Sequence, residues 1–288
     1  MKPVAFDYLT PSSVAEAVGA LARAGGSAVA LAGGQSLVPL LNARRVRPAT
    51  VVDLNRLPEL AECRIGDEVV RIGAMARLHS LAGNPELGRA LPVLSEAVAT
   101  VAHRQIRHRA TLGGSMCHAD PAAQLPAVAV ALGARLRLRS ATGARVEEAQ
   151  SFFGGAFHTS RRPDELLVAV DFPVHKGFRF RFESVTRRGA RGFPFVAACF
   201  GVRLTGSVIS SARLAASGVA DRPVRLAAAE RALAGRALSD DLGDVLDTAA
   251  AEVDPPDDIH GSAAFRADLL RTVLRRAAAR LTTLRGSR

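Results

Sequence analysis

The chain has 288 residues, of which 48% are apolar and 23% charged, and a formal net charge of +11. That length supports a substantial core divided among two or three sub-domains, and the apolar-to-charged balance excludes an intrinsically disordered protein. Arginine carries almost all of the positive charge, Lys2 and Lys176 being the only lysines, and it is scattered among acids and alanines. Such a pattern argues against nucleic-acid binding and for a solvated surface or a face docked on acidic partner subunits.

The first ten residues hold no apolar signal core. The longest apolar runs, such as 125–134, fall far short of the roughly 20 residues of a membrane span, so a cytoplasmic chain with no membrane span is expected. Cys63, Cys117 and Cys199 are widely spaced with no C-x-x-C pair. They read as small buried hydrophobes, and no iron–sulfur cluster is expected in this chain.

Ser13-Val14-Ala15-Glu16 is a capping-box pattern, which predicts a helix through Val18 and Leu21 to a stop at Gly25-Gly26. The apolar run Ala28 to Leu31 reads as a buried strand feeding Ala32-Gly33-Gly34-Gln35-Ser36-Leu37-Val38-Pro39. Paired glycines after a strand allow positive φ and remove side chains that would keep a ligand from the main chain. Successive outward amides attract phosphate oxygens. A strand follows at Thr50 to Leu54, where Asp53 is given at most a turn-capping role, then a strand at Val69 to Ala74 and a short helix at Ala76 to Ala82. Leu91, Leu94, Val98 and Val101 share one face of the next helix.

The basic run His103 to Arg109 leads into Thr111-Leu112-Gly113-Gly114-Ser115, a second paired-glycine loop. Either loop alone reads as an ordinary turn, and neither is a G-x-G-x-x-G or a P-loop. Together they predict a flavin pyrophosphate site, with Gly34 and Gly114 both needing a conformation that a β-branched residue resists. His118 and Asp120 follow at a spacing that fits no structural zinc pattern, so no metal is expected. Asp120 reads as an acceptor for a sugar hydroxyl or for loop amides, and a helix runs from Pro121 to about Leu132.

Arg135 to Arg139 alternates arginine with leucine, the period of a strand with one buried face, and turns at Thr142-Gly143. Ser151 to Phe157 is a small aromatic-rich element, and Glu165 to Phe172 is a strand stopped by Pro173. Phe178, Phe180 and Phe182 mark a half-buried strand; after the basic loop Arg187 to Gly192, strands are expected at Phe193 to Leu204 and Val208 to Ser217. Helices at 224–234, 240–253 and 261–284 then complete an α+β C-terminal domain.

The run Ala32-Gly33-Gly34-Gln35-Ser36-Leu37, with Pro39, resembles the first flavin motif of the FAD-binding (medium) subunits of molybdenum hydroxylases, the xanthine dehydrogenase and carbon monoxide dehydrogenase family. Gln105-Ile106-Arg107 to Thr111-Leu112-Gly113-Gly114-Ser115, then His118-Ala119-Asp120-Pro121-Ala122-Ala123, resembles its second. Ile72-Gly73-Ala74, Glu165-Leu166-Leu167 with Phe172-Pro173, and Gly218-Val219 to Pro223-Val224-Arg225 extend the likeness nearly end to end.

The resemblance implies an α+β chain: two N-terminal α/β sub-domains, 1–55 and 56–175, hold FAD between them, and residues 176–288 form a C-terminal antiparallel sheet with packed helices. It implies that Ala32, Gly33, Gly34, Gln35, Ser36 and Leu37, with Thr111, Leu112, Gly113, Gly114 and Ser115, offer amide and hydroxyl donors to the pyrophosphate. Leu166 or Leu167, and Phe193, would lie near the isoalloxazine. The sequence departs from the family where Gln124 replaces an acid, at Glu183 near a customary lysine, and at Gly192 in place of an aspartate. Gln124 keeps an acceptor for an adenosine hydroxyl, whereas the other two alter the polarity beside the ring.

The implied role is electron transfer. A molybdopterin-binding large subunit would oxidise the substrate, a [2Fe–2S] small subunit would relay electrons, and NAD, a quinone or oxygen would accept them, in a dimer of heterotrimers. No catalytic residue is required of this chain. Two other readings are a stand-alone flavin-dependent oxidoreductase and a basic binding module with degenerate flavin loops.

Overall fold

A computed structural model describes residues 2–186 and 194–283. The Arg187 to Gly192 loop and Phe193 named from the sequence lie outside the described residues.

Three sheets follow one another along the chain. In the first, β1 (Asp7–Leu9), β2 (Ala28–Leu31) and β3 (Thr50–Asp53) run parallel in the order β1-β3-β2. Helix α1 (Val14–Arg23) covers this sheet with Val14, Ala17, Val18 and Leu21 against Val52, Leu54 and Leu57. Its cap is a capping box shifted by one residue: Ser13 Oγ accepts from the Glu16 amide at 3.1 Å, but the Glu16 carboxylate accepts from Ser12, not Ser13, at 2.7 Å. Helix α2 (Leu37–Asn42) follows β2.

The second sheet is antiparallel, in the order β4-β5-β10-β6-β7. Its strands β4 (Cys63–Ile65) and β5 (Val69–Gly73) precede six helices, α3 (Leu78–Ala82), α4 (Pro85–Ala90), α5 (Pro92–Thr100), α6 (Arg104–Arg109), α7 (Leu112–His118) and α8 (Gln124–Leu132). Then come β6 (Arg135–Arg139), β7 (Ala144–Glu148), α9 (Ala149–Phe152), the small pair β8 (Phe153–Gly155) and β9 (His158–Thr159), and β10 (Leu166–Pro173). The central strand β10 carries Asp171, buried, with Arg71 of β5 and Arg137 of β6 paired to its two oxygens at 2.7 Å each. A buried carboxylate on a middle strand is tolerable because cations from both neighbours meet it.

The third sheet, β11 (Phe178–Thr186), β12 (Pro194–Thr205), β13 (Val208–Ser217) and β14 (Val224–Arg225), is antiparallel in chain order. Helices α10 (Ala227–Leu233), α11 (Gly243–Ala251) and α12 (Ala263–Thr283) pack on one of its faces through Leu233, Leu246, Leu270 and Leu274. The other face meets α8, every residue of which is buried; Val128 and Leu132 share a core with Cys199 and Ala215 of the third sheet. Arg280 of α12 adds a polar tie, reaching Glu96 of α5 at 2.6 Å and Glu183 of β11 at 2.5 Å. No described helix is long and apolar enough to cross a membrane.

The α+β architecture and most elements agree with expectation, and the differences have local causes. Strands β1, β4 and β7 are edge strands; β1 and β4, of three residues each, are too brief to show a period, and β7 buries no residue fully. Helix α4 was signalled by Asn84-Pro85: Asn84 Oδ1 accepts from the amides of Glu86 and Leu87 at 2.9 and 3.1 Å, with proline at the first helical position. The segment expected to be helical from Val224 begins as β14. The basic run His103 to Arg109 is helix α6, and the second glycine pair lies inside α7 rather than in a loop.

Gly201 of β12 sits under Phe180, where a β-carbon would meet ring atoms at 2.1 and 2.3 Å. Replacing it by alanine must displace that ring, which stacks on Phe178. Gly201→Ala is expected to cost about 1–3 kcal/mol, read as a lower thermal-denaturation midpoint.

Candidate cofactor cleft

The two glycine pairs are brought together by very close backbone approach. Gly33 faces Arg109 and Ala110, so that a β-carbon there would lie 2.2 Å from the Arg109 carbonyl oxygen. Gly113 faces Ala74, at the end of β5, with a hypothetical β-carbon 2.7 Å from its carbonyl oxygen. Only glycine permits either contact.

The cleft above this junction has a volume of about 1120 Å³, beyond the range of roughly 300–1,000 Å³ that suits drug-sized ligands. Its floor is the segment Ala32 to Leu37 on one side and Thr111 and Gly113 to Ser115 on the other. Ala74, Met75 and Leu78 come from the turn after β5, Val101, Ala102 and His103 from the turn before α6, and Leu166 and Leu167 from the start of β10. Pro194, Phe195, Ile259 and His260 close it from the third sheet and the turn before α12.

The two glycine segments offer different chemistry. Among the described residues, the amides of Gly33, Gly34, Gln35 and Ser36, and of Leu37 at the first position of α2, donate to no protein acceptor. Gly34, with φ of 76°, turns the run so that these amides follow one another, and Ser36 makes no capping bond with its hydroxyl. Such a run of unpaired donors at a strand-to-helix turn is an anion cradle.

In the second segment the amides from Leu112 to Ser115 are already used. Leu112 donates to Ala76 O at 3.1 Å, Gly113 to Ala74 O at 2.8 Å, Gly114 to Thr111 Oγ1 at 3.0 Å and Ser115 to Thr111 O at 3.1 Å. The expectation of amide donors from Leu112 to Ser115 is therefore corrected: these amides build α7 and tie it to β5. What remains for a ligand is the Thr111 amide, with no protein acceptor among the described residues, the Ser115 side chain and the bare surface of Gly114, whose backbone is helical and not in the positive-φ region. Leu112 is fully buried in the core and does not line the cleft.

The other expected residues divide clearly. Asp120 and Gln124 line the cleft, Asp120 also accepting from the Ala122 amide at 2.9 Å. Glu183 does not; its carboxylate is taken by Arg280. Of the basic run, His103 and Ile106 line the cleft, and Arg107 turns back to the carbonyls of Val101 and Ala102 at 2.8 and 2.7 Å. Phe195, Ile259 and His260 were not anticipated, because only the tertiary packing of the third domain brings them there. Ala74 had a signal, the Ile72-Gly73-Ala74 match.

Two titratable groups on the wall are held in fixed states. Burial pushes the Cys117 thiol up to about 11, which makes it a poor nucleophile at neutral pH. Glu165 is 1% exposed, and hydrogen bonds from Arg145 at 2.7 and 2.8 Å, joined by the Arg162 amide at 2.8 Å, hold its carboxyl down at about 2 against the cost of burial. Beside it, Arg161 donates to the Glu165 carbonyl at 2.7 Å and presents its side chain to the cleft. Among the described residues no three histidine, cysteine or acidic side chains could hold a metal together.

The family described as the FAD binding domain in molybdopterin dehydrogenase matches residues 4–175, and the CO dehydrogenase flavoprotein C-terminal domain matches residues 181–281. The chain is an FAD-binding subunit of the molybdenum hydroxylase family. Caffeine dehydrogenase subunit beta of Pseudomonas sp. (strain CBB1) is 40% identical to it over 287 residues, covering 97% of this chain and 96% of the relative. The 6-hydroxypseudooxynicotine dehydrogenase complex subunit alpha of Paenarthrobacter nicotinovorans is 39% identical, covering 97% and 95%. The solved CO dehydrogenase from Oligotropha carboxidovorans superimposes with a TM-score of 0.92 at 34% identity, over 97% of this chain and 98% of that one.

The residues present fit FAD, the family's cofactor. A long cleft with an amide cradle at one part of its floor and an apolar wall of Ala74, Met75, Leu166 and Leu167 matches an anionic pyrophosphate joined to a flat aromatic ring.

Gly33→Ala is expected to drive the first segment off Arg109 and to abolish FAD retention after desalting, measured by flavin absorbance and chromatography. For Glu165 the lowered carboxyl range stabilises the fold above the ordinary glutamate value of 4.5 and is lost as pH falls toward about 2. The stability difference between wild type and Glu165→Gln, about 3 kcal/mol at neutral pH by that shift, should shrink as denaturant titrations are repeated from pH 5 downward.

Proposed function

We propose that this chain is the electron-transfer subunit through which a molybdenum-containing hydroxylase meets its external acceptor. In this reading a molybdopterin-binding large subunit oxidises the substrate and a small subunit with [2Fe–2S] clusters relays the electrons. The acceptor is NAD, a quinone or oxygen. Bound FAD supplies the exchange between one-electron and two-electron steps.

The run of free amides from Gly33 to Leu37 carries the reading, because it suits a tightly held anionic cofactor. Those amides, with the Ser36 and Ser115 hydroxyls, bind the pyrophosphate; Asp120 and Gln124 take adenosine hydroxyls; Leu166 and Leu167 form the apolar wall against the isoalloxazine. Cys117 and Glu165 are locked in unreactive states, which supports a cleft that positions a cofactor and leaves substrate oxidation to another polypeptide. Residues 1–55 and 56–175 provide the two cofactor-binding sub-domains, and 176–288 closes the cleft. The net charge of +11 suits docking on acidic subunits in a cytoplasmic dimer of heterotrimers.

Affinity purification of the tagged full-length chain from its native host tests this. Two further polypeptides, with molybdenum and iron by metal analysis and about one FAD per copy of this chain, are expected. A chain recovered alone that holds FAD and turns over a small substrate without iron overturns the assignment in favour of a self-sufficient flavin oxidoreductase.

A further inference from the structure

The two segments that floor the cleft are also joined from behind, by side chains that line no part of it. Asp53, at the end of β3 and almost fully buried, accepts from the Tyr8 hydroxyl on one oxygen. Its other oxygen accepts from the Asn55 amide at 2.9 Å and from the Asn55 side chain. Asn55 Nδ2 also donates to the Ala32 carbonyl at 3.1 Å, in the first glycine segment. Its Oδ1 accepts from Arg77 Nη2 at 2.5 Å, and Arg77 Nη1 donates to the Arg109 carbonyl. That carbonyl is the one on which Gly33 is packed.

We propose that Asn55 and Arg77, oriented by Asp53 and Tyr8, are positioning residues for the FAD pyrophosphate. The inference rests on the assignment of this cleft to FAD and goes beyond it by naming groups that act without touching the cofactor. Asn55 holds the first segment through Ala32, and the guanidinium of Arg77 spans from Asn55 to the carbonyl before the second segment. A planar fork fixes the separation of its two acceptors more tightly than a lysine can. The primary amide of Asn55 is required as well, since only a group with two donors and an acceptor can meet Asp53, Ala32 and Arg77 together. Asp53, whose carboxyl stays ionised well below neutral pH, keeps that amide in the one orientation that serves all three.

The bonds that reach the two segments lie outside the main core: Asn55–Ala32, Asn55–Arg77 and Arg77–Arg109 are solvent-exposed, whereas the bonds to Asp53 are part-buried. The relay therefore orders the two cofactor segments and does little to hold the domain together.

Titrating apo-protein with FAD, followed by quenching of flavin fluorescence, tests the relay in wild type, Tyr8→Phe, Asn55→Ala, Arg77→Met, Arg77→Lys and the Asn55→Ala/Arg77→Met pair. Asn55→Ala and Arg77→Met should each weaken FAD binding about tenfold, the scale of one lost charged hydrogen bond. Tyr8→Phe should weaken it less. The double variant should be little worse than either single, because both break one relay, and Arg77→Lys should recover part of the loss. The melting midpoint of the apo-protein should stay at the wild-type value while the rise produced by FAD becomes smaller. Wild-type affinity in both single variants overturns the proposal, and so does a loss of affinity matched by an equal loss of apo stability. A wild-type chain that binds no FAD removes the cofactor assignment along with it, whereas tight wild-type binding with unaffected variants removes the relay alone.

Discussion

The cleft depends on how closely two stretches of main chain approach one another at Gly33. With no β-carbon there, the first glycine segment rests directly on the Arg109 carbonyl, and the five amides from Gly33 to Leu37 have no protein acceptor among the described residues. Leaving so many backbone donors unpaired is costly unless something else accepts from them. In the proposed reading a pyrophosphate accepts from them, while the second segment has spent its amides from Leu112 to Ser115 on α7 and the turn after β5. One segment is rigid so that the other can remain available.

Much of this could be read from the sequence. The strand at Ala28 to Leu31, the paired glycines after it, the alternation of Phe178, Phe180 and Phe182, and the Arg135 to Arg139 strand all follow from local pattern, and each stands where its period placed it. The division of labour between the glycine pairs was not legible, because Gly33-Gly34 and Gly113-Gly114 look alike until Thr111 is seen to cap a helix through Gly114. Glu183 shows the same limit. Its place in the chain suggested the flavin, but a strand residue's partner is set by what crosses it, and Arg280 lies almost a hundred positions away. Asp53 does cap the turn, through the Asn55 amide two residues on, but its bond to Tyr8 forms only once β1 has paired with β3.

Electrostatics in the cleft is arranged by pairing rather than by bare charge. Glu165, a buried acid on the wall, is matched by Arg145 and Arg162, so it adds little negative field toward an anionic ligand. Arg161 lines the same wall, its guanidinium donating to the Arg162 and Glu165 carbonyls at 2.9 and 2.7 Å. Of the two acids on the wall, Glu165 is thus matched by arginines, while Asp120 has the Ala122 amide as its partner.

Helix α8 has a consequence of a different kind. Its residues belong by sequence to the FAD binding domain that matches 4–175, yet they are buried partly beneath strands of the domain that matches 181–281. A border drawn between 175 and 181 separates the two matched regions in sequence, not the interior that they share. Severing the chain there would strip one side of a helix that is apolar at every position but Gln124 and expose the underside of the third sheet to water. The two matched regions thus share one interior, in which each covers apolar surface of the other.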